Sequence, residues 1–94
     1  MSERLSPPEA KATIQRCLAP GGSVVVSTHA EEELAKDGMS VSDCLAILRG
    51  GWVEEPEFLK GEWRYRVNTN LFVVVVAFRG ANKLRVVTAW KIKK

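Results

Sequence analysis

His29 is the only histidine in the chain, and imidazole is the side-chain type most often used for proton transfer at neutral pH. It falls at the expected start of a helix, where the dipole disfavours the imidazolium, while Glu31, Glu32 and Glu33 just behind it favour the charge. Two roles are open to it: proton transfer, or a hydrogen bond to backbone at a strand-to-helix junction. Arg64, Arg66, Arg79 and Arg85 carry guanidinium forks that match phosphate oxygens two at a time. They form either a phosphate-binding set or a solvated strand face. Lys91, Lys93 and Lys94 add a cationic end that attracts polyanions without doing chemistry. Tyr65 and the three tryptophans have rings that stack on bases. Trp63 and Tyr65, however, alternate with Arg64 and Arg66, which directs them toward a core.

Other chemistries lack their residues. Cys17 and Cys44 fall within apolar helical stripes, as small buried hydrophobes do, and two cysteines make neither a disulfide framework nor a four-ligand zinc set. No serine elbow, phosphate-cradling loop or metal-ligand spacing is present, so no cofactor and no metal is expected.

Charge is segregated along the chain. Residues 1–59 hold five bases against ten acids, a balance of −5. Residues 60–94 hold nine bases against Glu62 alone, +8, and the two parts make the net +3. Such a division points to a surface made for a polyanion or an acidic partner. Ninety-four residues, 46% of them hydrophobic, fit one globular domain and argue against disorder. The longest apolar run, Leu71–Phe78, is less than half of the roughly 20 residues a spanning helix needs. Arg4 is followed by Ser6-Pro7-Pro8-Glu9 rather than an apolar segment, so no secretory signal is read. The expectation is a soluble cytoplasmic protein with no membrane partner.

The elements that position these residues follow from local punctuation. Ser6 with Glu9 makes a capping box with proline at the first helical position, and Ala10, Ile14, Cys17 and Leu18 continue as one stripe. Pro20-Gly21-Gly22 stops that helix, and Val24-Val25-Val26 reads as a strand. Thr28 with Glu31, and Ser40 with Asp43, read as two further capping boxes, with Gly38 and Met39 closing the first of these helices and Gly50-Gly51 ending the second. Trp52–Phe58 reads as a strand that Pro56 confines to an edge or bulge. Trp63–Asn68 alternates with period two, Asn68-Thr69-Asn70 turns the chain into Leu71–Arg79, and Gly80–Lys83 turns it again into Leu84–Ile92.

Strands grouped after helices define an α+β fold: N-terminal helices packed on one face of a mostly antiparallel sheet of four to five strands. Residues 1–94 are read as a single domain, with 1–22 a helical extension and 23–94 the core. The other sheet face is left free. Arg64, Arg66 and Asn68 share one side of their strand, and Arg85 and Lys91 share a parity on the last. If register aligns the two sets, they line one open basic face.

Ser27-Thr28-His29-Ala30 followed by Gly38-Met39-Ser40 at a helix start resembles the S-x-H-A … G-[IM]-S signature of a family of small bacterial proteins. The likeness continues through Arg64–Val67, the valine run and Val86–Lys91, covering residues 23–92. It departs from the family at Trp90, where relatives tend to carry an aromatic hydroxyl or another polar residue. That family is grouped with the RelE/ParE-like toxins of type II toxin–antitoxin systems. The resemblance implies that fold and metal-independent cleavage of RNA, often mRNA on the ribosome, restrained by a small acidic antitoxin. Such cleavage needs a base, an acid and cations on the phosphate, which assigns His29, Arg64 and Arg66 to catalysis and Arg79, Arg85 and Lys91 to nucleic-acid binding. The expected function is thus a toxin-like RNA-binding protein acting as an endoribonuclease. The alternative is a non-catalytic nucleic-acid- or protein-binding module on the same fold.

Overall fold

A computed structural model of the chain describes residues 3–92; Lys93 and Lys94 of the cationic end lie outside the described residues. Ser6 caps α1 (Pro7–Leu18) by accepting from Glu9 N, while the Glu9 carboxylate accepts from Ser6 N, the reciprocal box expected. Ala10, Ile14 and Cys17 are buried. β1 (Ser23–Val26) then leads into α2 (Thr28–Lys36), but the cap is Ser27, one residue earlier than expected. Its hydroxyl accepts from Ala30 N at 3.0 Å and donates to Val87 O at 3.1 Å, a tie to the sheet that Thr28 does not make. Gly38, at φ 70°, takes the left-handed turn after α2, and Met39 N donates back to Leu34 O. α3 (Val41–Gly50) starts on the Ser40–Asp43 box as read. At its end Gly51 lies so close to β4 that an added Cβ would stand 2.6 Å from Asn68 O.

The expected Trp52–Phe58 strand is broken by Pro56 into β2 (Trp52–Val53) and β3 (Glu57–Leu59). Both pair with the outer edge of β4 (Glu62–Asn68), β2 with residues 67–68 and β3 with residues 62–64. β4, β5 (Phe72–Phe78) and β6 (Lys83–Lys91) form an antiparallel meander, and β1 adds in parallel to β6. Among the described residues the fold is therefore α+β, with three helices and a six-stranded sheet in the order β1-β6-β5-β4-β2, β3 also lying on β4.

One side of the sheet carries the core. Tyr65 and Val67 from β4, Val74 and Val76 from β5, and Leu84, Val86 and Ala89 from β6 pack with Ile14, Leu34, Cys44 and Leu48 of the helices. Cross-strand partners point to the same face. The pairs Tyr65↔Val76↔Val86 and Val67↔Val74↔Ala89 therefore define the helix side. Lys11 ties α1 to α3: its ammonium donates to Arg49 O at 2.8 Å and Gly51 O at 2.6 Å, the open carbonyls at the end of α3. Ala10, Ile14 and Cys17 pack α1 into that core.

Candidate nucleic-acid interface

The opposite face is built from the other parity of the same strands. Its rows are Arg64↔Glu57 on β4 and β3, Arg66↔Val75↔Thr88 across β4, β5 and β6, Asn68↔Val73↔Trp90 beside them, and Ala77↔Arg85↔Val25 toward β1. Val73, Val75 and Ala77 are buried yet lie outside the helix-side core. Long side chains cover them: Arg64, Arg66, Thr88 and Trp90 line a shallow cleft over Val75. The Arg66 guanidinium lies 5.7 Å from the Trp90 ring centroid. Trp52, paired laterally with Asn68, is 53% exposed on the same face. Asn68 donates to the Glu54 carboxylate, and its own Oδ1 is buried without a partner among the described residues.

The arginines reach this face by different routes. Arg64 and Arg66 follow from β4 alternation. Arg79, just past β5, turns back to Glu62 at 2.8 Å, and Glu62 also receives Arg64 Nε at 2.9 Å. Burial raises the Glu62 carboxyl, but the hydrogen bonds and charges of Arg79 and Arg64 outweigh it and hold the group below its ordinary value. Arg66 pairs more loosely with Glu57, at 3.4 Å and with both side chains about half exposed. Arg85 has no ion pair among the described residues.

Lys91 corrects the expected face. Val75 pairs with Thr88 and Val76 with Val86, so Val87 is an extra residue in β6. A bulge of this kind reverses the parity beyond it. Arg85 stays on the open face, whereas Lys91, opposite Phe72, falls on the helix side, where its N–H donates to Asp37 Oδ2 at 2.9 Å. The same reversal brings Trp90 to the open face beside Arg66. Trp90 and Trp52, both base-stacking candidates by type, acquire their place on this face only through the bulge and through the pairing of β2 with β4.

His29 is exposed on the first turn of α2, after the edge strand β1. Three interstrand spacings, about 14 Å, separate β1 from β4. The fold therefore gathers Arg64, Arg66, Arg79 and Arg85 on one face and leaves His29 apart from Arg64 and Arg66 on β4. Trp63, half buried, meets Phe58 edge-on at 5.1 Å, and the buried Tyr65 hydroxyl accepts from Leu5 N at 2.8 Å, so both rings are structural as the alternation requires. Among the described residues no three His, Cys, Asp or Glu side chains could hold a metal ion, and no helix is long and apolar enough to cross a membrane. The chain matches no family model, no curated protein and no solved structure.

Proposed function

We propose that this chain is a cytoplasmic, toxin-like protein that binds single-stranded RNA across its helix-free sheet face. One observation supports it above the others: four arginines, Arg64, Arg66, Arg79 and Arg85, converge on a face that also presents Trp90 and Trp52. Guanidinium groups take phosphate, indole rings take bases, and together they suit an unstacked strand better than a duplex. The +8 balance of residues 60–94 supplies long-range attraction. The partner that restrains the protein is an acidic segment that lies over the same cations and competes with RNA.

Cleavage of the bound RNA is the second reading, and Glu57 favours it. A half-exposed carboxylate 3.4 Å from Arg66 is a proton acceptor beside a phosphate-binding cation. It fills that role better than His29, which stands off the face. Fluorescence anisotropy with a labelled oligouridylate across a salt series tests binding. Arg64→Ala/Arg66→Ala should lower the salt slope by about 1.4, near 0.7 for each lost phosphate contact. An unchanged slope would remove the face from the proposal. Incubation of mRNA in a translating extract separates the two readings: cut products that vanish in Glu57→Gln establish the nuclease, and intact mRNA with tight binding leaves the binding module.

A further inference from the structure

Glu62 is the one acid among residues 60–94, and it stands where it reaches two of the nine bases. Its Oε2 accepts from Arg64 Nε at 2.9 Å and its Oε1 from Arg79 Nη1 at 2.8 Å. Each oxygen thus holds one guanidinium, and the guanidiniums come from different places in the chain, β4 and the turn after β5. Two cations held apart by a two-oxygen anion are set for any anion that presents two oxygens in one plane. A phosphodiester presents such a pair through its non-bridging oxygens. The site is neither sealed nor fully solvated: side-chain exposures are 20% for Glu62, 21% for Arg64 and 35% for Arg79. Beside it opens a cleft of about 270 Å3 whose lining includes Glu3, Gly61, Glu62, Trp63 and Arg79. Of the two arginines, Arg79 lines this cleft.

We infer that Glu62 is a tethered competitor for RNA phosphate: it occupies a two-arginine phosphate subsite and gives up Arg64 and Arg79 when a backbone phosphate arrives. This rests on the reading of the open face as an RNA surface and adds to it a site and a gate. The carboxylate orders the two forks in the free protein, so the arginines are positioned in advance. It also sets the discrimination. A weak or singly placed anion does not displace a tethered carboxylate, whereas a strand that contacts Arg66 and Arg85 at the same time does. Glu57, on its looser pair with Arg66, masks far less.

The test compares wild type, Glu62→Gln and Glu57→Gln for binding of a labelled oligouridylate over a salt series, with thermal unfolding as a check on folding. Glu62→Gln should bind about tenfold more tightly at low salt. Its salt slope should stay within about 0.7 of wild type, because the same arginines reach phosphate in both complexes. Glu57→Gln should change affinity by less than about threefold. If wild type binds and a folded Glu62→Gln binds no better, the inference falls while the RNA surface stands. If neither protein binds, both fall; binding by Glu62→Gln alone supports a masked site. Should Glu62→Gln not fold, the side-chain NH resonances of Arg64 and Arg79 in wild type decide. Their movement at saturation with RNA supports the exchange, and fixed positions overturn it.

Discussion

Glu62 has an acid signature independent of RNA. Its folded value lies below the ordinary 4.5, so the stability it contributes is present above that pH and is lost as pH falls through the folded value. The thermal midpoint of wild type should therefore drop more steeply below about pH 4.5 than that of Glu62→Gln, as calorimetry at a series of acid pH values will register. The cysteines illustrate the reverse effect. Burial pushes the Cys44 thiol up to about 11 and raises Cys17 as well, and both are buried against the core. The thiolate is the reactive species. Neither residue should consume Ellman's reagent in the native protein at neutral pH, and both should after denaturation; rapid native labelling of Cys44 would contradict its burial. Tyr65 adds a packing case. Its hydroxyl receives the Leu5 N–H from the start of the chain, so Tyr65→Phe should cost about 1 kcal/mol by denaturant unfolding while leaving the ring in place.

At the level of elements, the caps distinguish near neighbours. Ser27→Ala removes both the cap of α2 and the tie to Val87 O, and should cost about 1–2 kcal/mol in urea unfolding, whereas Thr28→Ala should stay within about 0.5. How much of this fold was legible follows the range of the interactions. The Ser6 and Ser40 boxes were readable because cap and carboxylate are three residues apart. Ser27 and Thr28 both carry hydroxyls, and only the position of β6 selects Ser27. The alternation of Trp63–Asn68 correctly separated a core side from an arginine side. The bulge at Val87 was not readable, because an extra residue in one strand is defined by its partner strand. Lys91 left the basic face, and Trp90 joined it, through that one residue. The convergence of Arg79 on Glu62 was hidden for a related reason: the two are 17 positions apart and meet only when the β4–β5 hairpin closes.

For the whole molecule, the arginines of residues 60–94 collect on one surface, the sheet side. Glu31 and Glu32 are exposed on α2, on the helix side, while Arg64, Arg66, Arg79 and Arg85 belong to the sheet side. The sheet side thus gathers four arginines around two acids, Glu57 and Glu62, while α2 presents exposed glutamates on the other side. On a heparin column, Arg64→Glu/Arg66→Glu should elute at clearly lower salt than wild type, and Glu32→Lys should elute at the same salt or slightly later. Equal losses in both variants would mean that net charge, not the sheet face, governs the attraction. The same pair of variants locates an acidic partner, which should lose affinity for the sheet variant alone.

The parallel pairing of β1 with β6 has a consequence for how the molecule assembles. Ser27 and Val87, bonded at the strand ends, are 60 residues apart, and among the described residues β1 pairs with β6 alone. The meander β4–β5–β6 joins neighbours in the chain and can form early, as local pairings do. β1 must wait for β6 to be synthesised and placed. Until then Val24, Val25 and Val26, an apolar β-branched run with no charge or proline to protect it, remain an unpaired segment. β1 thus pairs only once β6 is in place, and until then its valine edge is open to a second copy of the same segment.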